Sequence, residues 1–328
     1  MDNQFEPLLQ LIQENNRFVL TAHETPDGDA VGCECALLRA LKKLGKTTLI
    51  FNADSAPDKF MFADVEDDVQ ILESSEQLPA DIGEYILIIM DTCDTNNIGQ
   101  VADLLLPHVK KCFIIDHHEN EGDLVYDEMV QMDASSTCEI LYELFDKLDL
   151  EIDFEIAQAL YMGIVYDTGS FVYPKTTAQT LQIASDLVTR GVKPNDIYTN
   201  LYETNTLSAL HLQSKVLATL ELVYDGRVAI QTMLKETITG SSARYEEADQ
   251  LINVPLKAER VKVSIFFKQN LEGLLRCSMR SKGNINVAEI ALGFGGGGHR
   301  TAAGFKCTVS VEETRDLVLA KLSKYFLS

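Results

Sequence analysis

Short apolar runs that end in acids or imidazoles set the rhythm of the first half of the chain. Phe18-Val19-Leu20-Thr21-Ala22 leads into His23, with Asp27 and Asp29 just beyond. Ile86-Leu87-Ile88-Ile89-Met90 leads into Asp91, and Phe113-Ile114-Ile115 into Asp116-His117-His118. Runs this short and β-branched read as buried strands. Strands are predicted over about 17–22, 47–51, 85–90 and 112–115. Between and after them, apolar positions recur at helical spacing, predicting helices over about 4–14, 30–44, 98–106, 136–148, 153–166 and 176–190. The helix over 153–166 runs into a further acid, Asp167, while 57–80 reads as irregular. Gly45 and Gly191 follow two of the helices as C-terminal caps. Strands alternating with helices predict an α/β fold with a doubly wound, mainly parallel sheet.

The pattern changes near residue 219. Leu220–Tyr224, then Asp225-Gly226, then 227–233 reads as a hairpin, because Asp-Gly suits a type I′ turn. Two further paired strands (261–267, 273–279), a helix near 286–292 and a last helix over about 312–326 complete a smaller α+β domain. The expected organisation is an α/β domain over 1–205, a helical linker over 206–218 and the smaller α+β domain over 219–328.

Composition narrows the partners. At 328 residues the chain can bury the cores of two domains. Its formal charge of −22 argues against tracking a long nucleic acid, which calls for a basic stripe. Acids such as those of Asp64-Val65-Glu66-Asp67-Asp68 read as solvated surface. No apolar run is long enough to span a bilayer, and the N-terminus lacks the basic region of a signal peptide. Seven cysteines without a CxxC pair fit a reducing compartment, so a cytoplasmic location is expected. Homodimerisation is compatible with the pattern but not demanded by it.

The strand ends carry the candidate chemistry. In open α/β sheets that edge is where ligands bind. Pro26 and Gly28 force a turn, so Asp27 and Asp29 either face a cation from one side or form an ordinary Asx-turn with Asp29 as the helix N-cap. Asp91 either bridges two metals or caps a helix. His117 and His118 are adjacent and cannot both face one way, and Asp116 can orient a neighbouring imidazole. Carboxylates with imidazoles suit Mn²⁺, Mg²⁺ or Fe²⁺ rather than a thiolate-bound zinc. Together the set suffices for two metals sharing carboxylates, an arrangement that supports phosphoryl transfer. Farther on, Gly295-Gly296-Gly297-Gly298-His299-Arg300 reads either as an anion-binding loop or as a flexible one, with Arg280 and Ser281 as further phosphate contacts.

These motifs, in this order, resemble the DHH phosphoesterase superfamily. The glycine run with His299 and Ala302-Ala303-Gly304 resembles the signature of the DHH-associated C-terminal domain. Among two-domain members the length is similar to the nanoRNase/pAp-phosphatase (NrnA-like) subfamily. The resemblance implies two divalent ions, Mn²⁺ first among Mg²⁺, Co²⁺ and Fe²⁺. It implies that His23 and Asp27 bind one ion, that Asp29, His117 and Asp167 bind the other, and that Asp91 bridges. It gives His118 the scissile phosphate or the leaving oxygen, and places Asp116 behind the ligands. Arg280, Ser281, Gly296, Gly297, Gly298 and His299 would hold the nucleotide. The activity implied is Mn²⁺-dependent hydrolysis of very short oligoribonucleotides to mononucleotides, and of 3′-phosphoadenosine 5′-phosphate to AMP.

Other functions use the same parts. A linear or cyclic dinucleotide phosphodiesterase is the runner-up. A RecJ-like exonuclease on long single strands is disfavoured by charge and size. A family II-like pyrophosphatase is disfavoured by the nucleotide-type glycine motif. A nucleotide sensor without catalysis is disfavoured by the complete set of metal-ligand candidates.

Overall fold

The computed structural model describes residues 4–63, 68–118 and 126–326; Asp64–Asp67 lie outside this set. The chain divides into two compact units, Met1–Thr204 and Asn205–Ser328.

The first unit is built on six strands: β1 (Arg17–Thr21), β2 (Thr47–Asn52), β3 (Val69–Ile71), β4 (Ile86–Met90), β5 (Lys111–Asp116) and β6 (Asp127–Val130). Their order in the sheet is β3-β2-β1-β4-β5-β6, and every pairing is parallel. Its helices are α1 (Glu6–Glu14), α2 (Gly28–Lys43), α3 (Val101–Leu104), α4 (Thr137–Lys147), α5 (Phe154–Asp167), α6 (Ala178–Thr189) and α7 (Pro194–Tyr202). The doubly wound, parallel α/β architecture anticipated from the strand-helix alternation is therefore present. Successive strand residues face opposite sides. Phe18, Leu20, Ile88, Met90, Phe113 and Ile115 enter one apolar core, and Val19, Leu87, Ile89, Cys112 and Ile114 enter the other. Each such side chain, fully buried, contributes about 1.5–3 kcal/mol.

Two edge strands escape the hydrophobic pattern. β3 has three residues, and β6 begins Asp127-Glu128 and buries only Met129. Short, charged edges discourage pairing with other chains, and they also remove the apolar signal. The helix expected over 98–106 shrinks to the four residues of α3, because Gly99 at φ +56° precedes it and Pro107 follows.

Helix α2 is buried on nearly every side, flanked by α4 and α5. Gly32 and Gly163 permit this closeness. A Cβ on Gly163 would collide with Cys138 Sγ and stand 2.6 Å from Asp29 Oδ1.

The second unit contains α8 (Leu207–Leu217), β7 (Glu221–Val223), β8 (Val228–Met233), α9 (Lys235–Thr239), β9 (Val263–Gln269), β10 (Leu275–Ser281), α10 (Val287–Leu292), β11 (Gly297–His299), β12 (Ala302–Lys306) and α11 (Val311–Leu322). The strand order is β11-β12-β10-β9-β8-β7. Only β8 and β9 run parallel. Val263, Ile265, Cys277, Met279 and Phe305 form its main core with Val287, Ile290, Val318 and Leu322 of α10 and α11. On the opposite face, Phe266 packs with Leu212 and Val216 of α8 and with Leu251 and Ile252. The smaller α+β unit expected from the sequence is thus seen, with β11 and the β8–β9 crossover added. Among the described residues no helix is long and apolar enough to cross a membrane.

Candidate metal centre

The strand order reverses direction between β1 and β4. From β1 the chain moves outward to β2 and β3, and from β4 to β5 and β6. Crossovers on opposite faces leave a crevice at the carboxyl ends of these two neighbours, the usual ligand position in such sheets. His23 follows β1, Asp91 directly follows β4, and Asp116 ends β5. Asp27 caps α2, its Oδ1 accepting from the amides of Asp29 (3.0 Å) and Ala30 (3.2 Å). Asp167 is the last residue of α5. The helix cap is therefore Asp27, two residues before the expected Asp29, which lies inside the first turn of α2. Asp94, near Asp91, caps a short 3₁₀ turn through the Asn96 amide.

Among the described residues these side chains converge as overlapping groups: His23, Asp27 and Asp91; Asp29, His117 and Asp167; and Asp91, Asp116, His117 and His118. Asp91 joins the first two. Its Oδ2 lies 3.5 Å from His23 Nε2, while its Oδ1 lies 3.5 Å from His117 Nε2. His23 Nε2 is 4.0 Å from Asp27 Oδ1, and His117 Nε2 is 4.0 Å from Asp29 Oδ2 and 3.0 Å from Asp167 Oδ2. Donors about 2.1 Å from a shared ion stand about 3.0 Å apart when adjacent and about 4.2 Å apart when opposite. The spacings fall in that range. His117 Nε2 is buried, with oxygens of Asp167 and Asp91 at 3.0 and 3.5 Å, so more than one carboxylate faces its ring nitrogen. The residues fit divalent cations. Asp91 sits at φ +62°, a left-handed conformation that costs a non-glycine residue energy and clusters at functional sites.

Electrostatics point the same way. Burial, then the Asp91 and Asp167 charges, push Asp27 up to about 6 and Asp29 well above the usual carboxylate range. Burial opposes ionisation of Asp91 too, but the His117 and His23 imidazoles hold it well below that range. Burial disfavours imidazolium at His23 and His117; the surrounding carboxylates reverse this and raise them to about 9 and about 11. Protons here balance a charge that divalent cations also balance, with the imidazoles then neutral.

Comparison with known proteins places the chain in a family. The N-terminal domain pattern of the DHH family matches residues 17–164, and the DHHA1 domain pattern matches residues 225–327. The bifunctional oligoribonuclease and PAP phosphatase NrnA of Thermus thermophilus is 30% identical, over 87% of this chain and 82% of that protein. The chain belongs to the DHH family. The corresponding Bacillus subtilis NrnA is 29% identical over 96% of each chain. The cyclic-di-AMP phosphodiesterase PdeA of Listeria monocytogenes is 25% identical over 98% of this chain but 48% of its own length. An exopolyphosphatase-related protein from Bacteroides fragilis shares the fold, with a TM-score of 0.92 and 24% identity, covering 100% of this chain and 98% of that one. As a DHH phosphoesterase the protein is a metal-dependent hydrolase.

Around this centre, further side chains and backbone groups hold the candidate ligands in place. His23 Nδ1 meets the Glu24 carbonyl at 2.7 Å, and His117 Nδ1 lies 3.4 Å from the Ala134 carbonyl, so both rings turn Nε2 toward the carboxylates. Asp29, wholly buried, accepts from the backbone amides of Thr137 (2.6 Å) and Cys138 (3.0 Å) at the start of α4. The Thr137 hydroxyl donates to Asp91 Oδ1 at 3.2 Å, and Lys175 donates to the His117 carbonyl at 3.0 Å. Sequence reading missed Thr137, Cys138 and Lys175. The Ser135-Ser136-Thr137 run, a strong N-cap signal, could have flagged the first two.

Asp116 Oδ1 accepts from the amides of His117 (2.7 Å) and His118 (3.2 Å) and pairs with His118 Nδ1 at 2.7 Å. This contact outweighs burial and raises the His118 imidazole. His117 is buried, whereas the His118 side chain is 54% exposed.

In the DHHA1 unit, a pocket of about 300 Å³ opens on β10 and β12, lined by Arg276, Ser278, Arg280, Gly297, Gly298 and Gly304. Arg280 is half-buried there. Ser281 has the opposite parity on β10 and donates to the Ile285 carbonyl at 2.8 Å, while Ser278 lines the pocket. The glycine run closes α10: Gly295 N and Gly296 N donate to the Leu292 and Ala291 carbonyls at 3.1 and 3.0 Å. Those two amides are thereby committed and do not cradle an anion. Gly296 and Gly298 are required by close packing on β12, where a Cβ on Gly298 would stand 2.6 Å from Ala303 Cα. Arg300 reaches the Asn284 carbonyl at 3.3 Å. The backbone of His299 pairs with Ala302, and its side chain lies outside the described set.

Proposed function

We propose that the protein hydrolyses very short oligoribonucleotides to mononucleotides and 3′-phosphoadenosine 5′-phosphate to AMP, using two divalent ions, Mn²⁺ foremost. The observation that carries this reading is the division of the two Asp91 oxygens between two imidazole–carboxylate groups. His23 and Asp27 are assigned to one ion, and Asp29, His117 and Asp167 to the other. Such ions, when bound, supply Lewis acidity that lowers the pKa of water and offsets charge on the phosphoryl oxygens. The chain's own residues do the rest. Asp91 fixes the spacing of the two groups. The Thr137 and Cys138 amides keep Asp29 oriented. Asp116 holds His118 Nδ1, leaving Nε2 of this exposed ring to contact the scissile phosphate and deliver a proton to the leaving oxygen. Arg280 and the DHHA1 pocket bind the nucleotide.

The substrate class rests on the NrnA relatives, which this chain matches over most of their length. Likeness to PdeA favours a second reading, a cyclic-dinucleotide phosphodiesterase, although this chain spans about half of that protein. Turnover by the Mn²⁺-loaded protein of a diribonucleotide, a five-residue RNA, 3′-phosphoadenosine 5′-phosphate and a cyclic dinucleotide separates the two. Preference for the diribonucleotide and the bisphosphate supports the proposal, whereas preference for the cyclic dinucleotide replaces it with the second reading.

A further inference from the structure

Strand register in the second unit places three cations abreast. Arg276 on β10 stands opposite Lys268 of β9 on one side and Lys306 of β12 on the other. Cross-strand partners share a face of the sheet, and this is the face opposite Cys277, Met279 and Phe305, which enter the core. Lys268 is neutralised, since it pairs with Asp249 and lies 4.0 Å over the Tyr245 ring. Arg276 and Lys306 are exposed, and neither side chain has a hydrogen-bond or ion-pair partner among the described residues. Like charges directly opposite across strands destabilise a sheet. In a chain of formal charge −22, acids to relieve this pair are plentiful elsewhere. The pair adjoins the DHHA1 pocket, whose wall Arg276 forms and whose floor is made of Ser278, Gly297 and Gly304, small enough for a ligand to lie against the backbone.

We propose that Arg276 and Lys306 together bind a phosphate of the substrate that is not cleaved, namely a terminal 5′-phosphate. The identity of that phosphate rests on the substrates proposed above. 3′-Phosphoadenosine 5′-phosphate keeps its 5′-phosphate when the 3′ group leaves, and a 5′-phosphorylated oligoribonucleotide carries the same group. The site therefore selects 5′-phosphorylated over 5′-hydroxyl substrates. A guanidinium beside an ammonium suits a dianionic terminal phosphate better than a monoanionic diester.

The test compares the Mn²⁺-loaded full chain with its R276M/K306M variant on a diribonucleotide with and without a 5′-phosphate. KM for the phosphorylated substrate should rise about tenfold or more, the loss expected for charge-assisted contacts. Because Arg276 also lines the nucleotide pocket, KM for the 5′-hydroxyl substrate should rise too, but by a factor several times smaller than for the phosphorylated one. An equal change for both substrates, or no change for either, overturns the proposal. K306E adds a readout that separates binding from folding: a carboxylate opposite Arg276 should raise the melting temperature while weakening the phosphorylated substrate, and a fall in both contradicts the assignment. If the wild-type protein turns over neither substrate, the reading of its reaction fails on its own. Calorimetric binding of AMP then decides this proposal, which requires weaker binding by R276M/K306M and is overturned by equal binding.

Discussion

The first unit buries acid where burial is costly, and the second exposes base where nothing neutralises it. Asp29, Asp91 and Asp116 are each at most 3% exposed, yet each stands within reach of His117 and of at least one further acid or imidazole. Arg276 and Lys306 stand side by side on an open sheet face. Both arrangements oppose stability in the protein alone, and each is relieved by a ligand of opposite charge: divalent cations in one, phosphate in the other. The difference lies in rigidity. The acidic centre is fixed by backbone amides, a strained Asp91 and close-packed helices, whereas the basic face offers long, unpaired side chains. Chemistry that must hold reacting atoms within fractions of an ångström belongs to the first kind of surface, and recognition of a charged group to the second.

The sharpest way to break this contrast is Asp91→Ala. Because both imidazole–carboxylate groups use this residue, kcat should fall on the order of 10³-fold, the scale of losing one preorganised electrostatic contact, while circular dichroism shows a retained fold. Activity within tenfold of wild type would mean that the two groups act separately. Asp116→Asn should cost less, about 10–100-fold in kcat, because it disturbs the orientation of His118 rather than the ligands themselves. An unchanged pH–rate profile in Asp116→Asn would remove His118 from proton transfer.

A pH effect follows next. In the metal-free protein His23 is raised to about 9 from 6.5, so the stability it contributes is complete below about 6.5 and is lost as pH rises through about 9. Asp27, raised to about 6 from 3.8, acts in the same direction between those values. The metal-free melting temperature should therefore fall by several degrees between pH 6.5 and 9. Added Mn²⁺ should restore it by an amount that grows with pH, as fewer protons compete for the imidazoles. Calorimetric scans at several pH values check this; restoration that shrinks with pH contradicts it. The smallest effect is expected in the second unit. Ser281→Ala should change KM less than about twofold, because its hydroxyl is committed to the Ile285 carbonyl. A tenfold rise in KM would return Ser281 to the nucleotide site.

How much of this was legible in the sequence depends on whether a residue acts through its position or through its register. His23, Asp91 and His117 follow apolar strands, and the period of those strands announces where they end. These three candidate ligands could therefore be assigned to one edge of the sheet from the sequence, and the order of the parallel strands brings them together. Asp167 was legible as the end of a long apolar helix. The amides of Thr137 and Cys138 were not, because a backbone donor carries no side-chain signature and its target, Asp29, is more than a hundred residues away. The second unit was read less well for a related reason. Arg276, Ser278 and Arg280 share a face by period two, but only pairing with β12 reveals Lys306 opposite Arg276. The glycine run misled in part: its amides suggested an anion cradle, whereas two of them end α10 and the missing side chains make room for β12.

The central claim, that one aspartate joins two metal-binding groups, is tested most directly by counting metal. Elemental analysis of Mn²⁺-loaded, dialysed wild-type protein should find two ions per chain, and Asp91→Ala should retain one at most. Two ions bound with unchanged affinity by Asp91→Ala would contradict the account.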